Sequence, residues 1–531
     1  MVSAVDGAST RTAPPPPPAP PAPRTTVQLA QARLPSQVPT QPAQTPTGPS
    51  PEAQAARAKI DEHLDGTGFL NAQTHGDDQA IASTLASLSA TDANAVVAGL
   101  QADGRLDDLA STITSSSVFT GNLSADERRQ FITDVAGKLD GNNLAFLSRA
   151  FDTIGGDRGR EGAGYVQELG QAVAAHASPQ TKIDFVRALG PDTVNADGNT
   201  QFDNGLLSRT THHGNPQAVA VGEVLSSMRG AQLETAFNTL DSGQQRAVFQ
   251  AAIGETSSHF TGQGSPIQTP GYNTALFTEL SQAFATMPSA HQKAQAFAVG
   301  AEVLRGERPP TTAVLTGQNA SEPKRAMLEM ANALGNIIDS DPSGIVNDLS
   351  QFRQPPAGSG DVATANGNAL ASYARTMLEN DQGAKGRLGA QMARVAAGNV
   401  GQATPDAAFD HAVNGQYRTA TGLGYFIGAA SAAARSIDSD NAAQNQLIGN
   451  TLASGLTLLD KFGVASVAAA VAKDWVRTAQ SSLAGAGGNH PTQALTDAAL
   501  PTDAAGNDSS LSNSRSAFLS TLNFVSANAR P

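Results

Sequence analysis

The chain has 531 residues and a net charge of −13; 40% of its residues are hydrophobic and 5% are aromatic. The acidic balance and the lack of clustered Lys and Arg argue against nucleic acid as a partner, and anionic membranes repel an acidic surface. The absence of cysteine excludes disulfides, thiolate nucleophiles and Cys-based zinc sites.

Alanine dominates the apolar residues, and it is the strongest helix former. Small side chains each bury little area, so many helices must pack closely to stabilise such a protein. We therefore predict an all-α protein, built as an irregular array of helical hairpins behind a disordered N-terminal leader.

The predicted leader spans residues 1–51 and is rich in Pro, Ser, Thr and Gln. It holds 14 of the 30 prolines, and Asp6 is its one acidic residue. Proline removes backbone donors and fixes φ, so neither helix nor central strand is expected here. No apolar stretch of the Sec type follows a basic start. The composition resembles the export signal of bacterial type III secreted effectors; a plain linker or a PxxP ligand is the alternative.

Helical signals begin at residue 52, and we predict a first helical lobe over 52–353. Ser124 and Glu127 form a capping box, in which the hydroxyl and the carboxylate satisfy free backbone amides at the helix start. Similar starts at Ser178-Pro179, Asp241-Ser242 and Pro288-Ser289 indicate a series of helices. Four phenylalanines occupy comparable places in these helices and are candidate core residues: Phe131, Phe185, Phe249 and Phe297.

Stretches rich in Gly, Pro, Asn, Ser and Thr separate the helical segments, as loops do. Two such loops are predicted at 195–216 and 254–271. The remaining predicted boundaries are a linker at 354–368, a second helical lobe at 369–483, a flexible segment at 484–515 and a short C-terminal helix at 516–528.

The mildly apolar stretch Leu447–Ala472 carries Asp460 and Lys461 at its centre. A membrane span needs about 20 apolar residues, and charges at its centre are costly. We predict two buried helices here, with membrane insertion by a translocator-like protein as the alternative.

The segment Gly422–Gly428 superficially resembles a glycine-rich phosphate loop. It has the spacing G-x-G-x-x-x-G and no preceding strand, so it lacks the context of a nucleotide site. Gly424, Gly428 and Ala432 instead recur every four residues, which predicts a small-residue seam where two helices approach closely.

His212 and His213 lie in a predicted loop with Asp197 and Asp203 nearby. Such residues can assemble an acid–base or metal site, and a toxin or hydrolase using this loop is the alternative function. Adjacent histidines point in different directions, however, and the motifs HExxH, G-x-S-x-G, P-loop and EF-hand are absent. We assign no catalytic, cofactor-binding or metal-binding residue and predict no cofactor.

Four Asp-Gly pairs lack the further oxygen ligands of a calcium loop and are interpreted as helix-ending turns in which glycine supplies a positive φ. They are Asp65-Gly66, Asp103-Gly104, Asp140-Gly141 and Asp197-Gly198.

Three segments resemble the alanine-rich helical parts of secreted proteins from plant-associated proteobacteria, particularly xanthomonads: residues 124–132, 176–190 and 422–437. The resemblance implies a secreted or translocated protein. We predict a virulence-associated effector, delivered into a host cell, that binds a host protein through a helical surface and uses an export chaperone. Residence in the bacterial cytoplasm is the alternative.

Overall fold

The computed structural model describes most of the chain beyond residue 47. The described residues are 48–66, 74–114, 123–154, 160–194, 199–203, 208–213, 216–259, 267–272, 274–306, 321–350, 361–397, 416–461, 467–485, 491–496 and 509–531. The predicted leader lies outside them up to residue 47, and its disorder and export role stay predictions.

The body begins at helix α1, where the Ser50 side chain accepts a hydrogen bond from the backbone amide of Ala53. The first eleven helices are α1 (Pro51–Leu64), α2 (His75–Ser87), α3 (Ala90–Ala102), α4 (Leu106–Thr114), α5 (Ala125–Lys138), α6 (Gly141–Asp152), α7 (Arg160–His176), α8 (Pro179–Leu189), α9 (Pro216–Ser226), α10 (Gly230–Phe237) and α11 (Ser242–Ala251).

The second half of the body continues with further helices. They are α12 (Ala275–Phe284), α13 (Ala290–Gly306), α14 (Ser321–Ser340), α15 (Pro342–Leu349), α16 (Asp361–Leu378), α17 (Gln382–Ala397), α18 (Arg418–Ile437), α19 (Asn441–Lys461), α20 (Val467–Gly485), α21 (Pro491–Thr496) and α22 (Ser509–Asn528). The predicted helical class is confirmed.

The helices pair as hairpins, and the hairpins stack in chain order. The first helices of successive hairpins form one stack, in which α2, α5, α7, α9, α12, α14, α16 and α18 each pack against the next. The second helices form two further rows, α3, α6, α8 and α10, and then α11, α13, α15, α17 and α19, within which each helix packs against the next. Helix α9 packs against both α10 and α11 where the two rows meet. A single hairpin cannot bury its apolar face alone, so each depends on its neighbours, as in helical repeat proteins.

The helix starts follow the predicted capping residues. Ser124 and Glu127 form the capping box of α5, and Asp241 forms another with Gln244 at α11. Ser178 caps α8 with Pro179 in the first turn. The four phenylalanines named above are all buried, and Phe249 packs its ring 5.4 Å from that of Phe284.

Two of the predicted glycine turns are confirmed and one is wrong. Gly66 and Gly104 have φ of 81° and 70° after their helices. Gly141 instead begins α6, because the Asp140 side chain accepts from the backbone amide of Asn143 at 2.9 Å and caps that helix. Gly198 lies outside the described residues.

A four-stranded antiparallel sheet occurs where the sequence predicted loops. Its strands are β1 (Asn199–Asp203), β2 (Ser208–His213), β3 (Gly254–His259) and β4 (Ile267–Tyr272), in the order β1-β2-β3-β4. The strands are short and mostly polar, so they lack the alternating apolar pattern by which strands are recognised. The sheet is an addition to a helical protein.

The predicted domain boundaries are placed as follows. Helix α16 begins at Asp361 inside the predicted linker 354–368, and residues 351–360 lie outside the described residues. Helices on either side of this stretch pack together, α13 against α16 and α15 against α17. Helix α21 and the first turns of α22 occupy parts of the predicted flexible segment 484–515.

The predicted small-residue seam on α18 is confirmed, and its partner is α22. A Cβ atom on Gly424 would overlap the backbone carbonyl of Phe518, and one on Gly428 would lie 2.8 Å from the carbonyl oxygen of Leu522. The contact moves from Phe518 to Leu522 on α22 as it moves from Gly424 to Gly428 on α18, so the two helices run parallel. The C-terminal helix is therefore held by direct backbone-to-backbone packing.

Replacing Gly424 by alanine should destabilise the protein by about 1–3 kcal/mol, because the added methyl group forces α18 and α22 apart. Gly386 in α17 is the matched control, since a Cβ there meets no atom within 4 Å. Gly386→Ala should stabilise by up to about 1 kcal/mol through helix propensity. Urea unfolding followed by circular dichroism measures both, and an unchanged stability of Gly424→Ala contradicts the packing.

Candidate functional site

Two cavities lie side by side in the second half of the array and share Asp348 as a lining residue. The larger, of about 630 Å³, is bounded by α15, α18 and α22. The smaller, of about 440 Å³, is bounded by α11, α13, α15 and α16. We call this pair of cavities the Asp348 groove. Each volume is within the range of ligand pockets, which is about 300–1,000 Å³.

Asp348 and His291 form a hydrogen-bonded pair beside the two cavities. The Oδ2 atom of Asp348 lies 2.9 Å from Nδ1 of His291, whose side chain is 68% exposed. The α13 and α15 helices pack together, which brings these two residues into contact. An exposed pair of this kind adds little stability, about 0–1 kcal/mol. Its effect is to fix the orientation of the imidazole ring and leave Nε2 to other partners.

The wall of the larger cavity combines an aromatic ring, a cation and several hydrogen-bonding groups. Tyr417 and Arg418 come from the start of α18, and Ser520 and Phe524 from α22. The side-chain oxygen Oδ1 of Asn347 is buried and has no hydrogen-bond partner. That oxygen lies against Gly422, where an added Cβ would collide with it, so it belongs to the packing of α15 on α18 and does not face a ligand in the cavity.

The predicted alternative site at His212 and His213 is located on β2. His213 pairs with Asn199 of β1, and His212 pairs with Thr200 and with Glu255 of β3. Consecutive positions on a strand belong to opposite faces of a sheet, so the two histidines do not share a face. Asp203 lies on β1 opposite Arg209, while Asp197 is outside the described residues.

A second group of titratable residues lies at the start of α2. The Asp77 carboxylate accepts from the backbone amide of Thr74 at 2.8 Å, and its other oxygen lies 2.7 Å from Nδ1 of His63. The neighbouring Asp78 is 3% exposed, and its Oδ1 has no hydrogen-bond partner. Burial, followed by the charge of Asp77, raises the pKa of Asp78 to about 7, while His75 opposes the shift.

Two adjacent carboxyl groups with different protonation states are a common arrangement in acid–base sites. Asp78, however, is too deeply buried for a substrate to reach. We therefore assign this pair an effect on stability.

A buried polar network lies between α14, α16 and α17. The Tyr373 hydroxyl donates to Gln391 at 2.8 Å, and Gln391 donates to Asp339 at 3.0 Å. Arg387 donates to the other oxygen of Asp339 at 2.9 Å. These groups satisfy one another inside the helix interface, which indicates a structural role.

Within the described ranges, no group of three or more His, Asp or Glu residues is arranged to hold a metal ion. Among the helices so described, none has the length and hydropathy that crossing a membrane requires. The stretch Leu447–Ala472 falls on α19 and α20, as the prediction of two helices stated; residues 462–466 between them are outside the described part.

Comparisons with known proteins give no family. No protein-family model matches the chain, and no curated protein sequence matches it. Among solved structures, an engineered protein aligns with 88% of this chain and 98% of its own, at 12% sequence identity and a TM-score of 0.24. A similarity at that level carries no argument about fold or function.

Asn347, Asp348 and His291 are not predicted as site residues from the sequence. These residues belong to different helices, with His291 and Asp348 separated by 57 positions. No local motif marks them, and only the stacking of α13 on α15 brings them together. For Asp78 the sequence carries a weak signal of a titratable site. Asp77 and Asp78 are consecutive acids in the first turn of a helix whose capping residue is Thr74.

Replacing Asp78 by asparagine should stabilise the protein at pH 8 and have little effect near pH 4. A carboxyl whose folded pKa is raised from 3.8 to about 7 binds more protons when folded, so the free energy of unfolding falls as pH rises between those values. The shift corresponds to at most about 4 kcal/mol.

The measurement is urea unfolding of both proteins at pH 4 and pH 8. The exposed Asp126, replaced by asparagine in the same way, is the control and should show no such difference. An equal effect of Asp78→Asn at both pH values contradicts the assignment.

Proposed function

We propose that the body is a protein-interaction module that binds an extended segment of a partner protein in the Asp348 groove. The observation that carries this proposal is the pair of adjoining cavities, whose walls combine hydroxyl, amide, charged and aromatic side chains.

The stacked hairpins support the proposal because helical arrays present long, continuous surfaces made by successive repeats. The groove itself is lined by residues from six helices, α11, α13, α15, α16, α18 and α22. A peptide backbone offers alternating donors and acceptors, which suits a wall of amide, hydroxyl and carboxylate groups. Phe524 and Tyr417 provide apolar area for a side chain of the partner.

We further propose that the partner is a host protein and that the chain is an exported bacterial effector. The charge of the leader supports this proposal. Three of the 34 basic residues and one of the 47 acidic residues precede Pro51. The leader therefore carries a net charge of +2 and the rest of the chain one of −15. An export chaperone would then bind the leader, and the groove would act after delivery. If the leader does not direct export, the alternative location of the protein is the bacterial cytoplasm.

A photo-crosslinking residue at Ser520, which is exposed on the groove wall, should capture one discrete partner from host extract. The same residue at Arg187, exposed on α8, should not capture it. Mass spectrometry of the crosslink identifies the bound segment, and a synthetic peptide of that segment should compete. Thr421→Trp, which fills the larger cavity, should weaken capture at least tenfold with unchanged circular dichroism.

Equal capture at both positions contradicts the groove proposal. So does the absence of any crosslink from protein that is correctly folded. Neither result bears on the oxyanion site described below, which is tested with a small ion.

Residues 1–50 fused to a reporter enzyme should direct it out of a bacterium that has a type III apparatus. The fusion ends before α1 begins at Pro51, so no folded element is cut. An isogenic strain without the apparatus is the control. Retention of the reporter inside both strains contradicts export.

A further inference from the structure

Three arginines meet at the ends of three helices. Arg305 is in the last turn of α13, Arg435 is in the last turn of α18, and Arg530 follows α22. The parallel packing of α18 and α22 accounts for this: residue 424 lies against 518 and residue 428 against 522 and 525, so Arg435 falls level with the chain just beyond α22. The backbone amide of Arg530 donates to Asn368 of α16.

Among the described residues, these arginines have no acidic partner. In the part of the chain that the structure describes, no carboxylate lies within 4.0 Å of the Arg305, Arg435 or Arg530 guanidinium. The only described acceptor near Arg305 is the backbone carbonyl of Arg530, at 3.5 Å. The cluster is therefore a local concentration of positive charge on an acidic protein.

The simplest explanation is that the arginines neutralise free carbonyl groups at helix C-termini, where cations are favoured. Arg530 does so, since its guanidinium donates to the carbonyls of Ala527 and Ala529 at 3.1 and 3.3 Å. Arg435 does not. Its Nε is buried without a hydrogen-bond partner, and among the described residues its guanidinium makes no hydrogen bond or ion pair.

Arg435 is partly buried, and its Nε is buried without an acceptor, a cost that arginine does not escape by losing its proton. Burial and the nearby charge of Arg530 both lower the pKa of Arg435. Two like charges held together by the helix packing are stabilised by an anion placed between them. The planar fork of a guanidinium matches a two-oxygen anion.

We propose that Arg435 and Arg530 form a binding site for an oxyanion, of the phosphate or carboxylate class. Arg305 adds positive charge at the edge of the site, and Asn368 holds the backbone of Arg530 in place. The same chemistry serves a free phosphate ion, a phosphorylated metabolite or a carboxylate. Arg305 and Asn368 also line the smaller cavity of the Asp348 groove, so the site adjoins the groove. Arg435 and Arg530 line neither cavity, and a small ion alone tests them.

Isothermal titration of the full chain with inorganic phosphate, and separately with acetate, tests the site at constant ionic strength. We expect saturable one-to-one binding of phosphate, weakened at least tenfold in Arg435→Gln. The control variant is Arg325→Gln, whose arginine is 71% exposed and paired with Glu329; it should bind as the wild type does. Saturation by phosphate alone defines a phosphate site, and saturation by both anions defines a general oxyanion site.

Thermal unfolding gives a second readout. Phosphate should raise the melting temperature of the wild type and of Arg325→Gln, but not that of Arg435→Gln. If Arg435→Gln fails to fold, Arg530→Gln carries the same test from an exposed position. The proposal is overturned if neither anion saturates the wild type, or if a folded Arg435→Gln or Arg530→Gln binds phosphate unchanged.

Discussion

The structure depends on one constraint: an alanine-rich hairpin can bury its apolar face only against the next hairpin. Each helix gains little from any single side chain, because small residues bury little area. Close contact over the whole length of each helix makes up the difference. The stacks of helices follow from this, and so does the pairing of every hairpin with its neighbours in chain order.

Several close contacts between helix backbones occur at glycine residues. Gly424 and Gly428 allow α22 to lie directly on α18, and Gly389 and Gly455 lie against each other's backbone where α17 crosses α19. Interfaces of this kind leave no room for side-chain adjustment, so they fix one helix relative to the next. The walls of the Asp348 groove and the position of Arg530 are both consequences, because each requires α22 at its observed height along α18.

Much of the helical body could be predicted from the sequence. Capping residues such as Ser124 and Asp241 are local signals, and each marks the start of an observed helix. The glycine at position 141 was misread because the preceding aspartate serves equally well in a turn and as a helix cap, and only the following chain distinguishes the two. The strands were missed because polar residues carry them, leaving no apolar alternation to detect.

The candidate sites could not be predicted in the same way. His291 and Asp348, or Arg435 and Arg530, carry no information about each other until the helices between them are placed. The interactions that assemble them act between side chains far apart in sequence. The composition predicts which helices form. The contacts between helices determine which side chains meet at a binding site.

The sheet has a consequence for how neighbouring hairpins move. Strands β2 and β3 belong to two different connections, one between α8 and α9 and the other between α11 and α12, and they pair from Ser208 with His259 to His212 with Glu255. Apart from the glycine contacts described above, the described helices of adjacent hairpins pack through their side chains. Here a ladder of backbone hydrogen bonds links them in a fixed register, so bending of the array is resisted at this point and is left to the hairpins on either side.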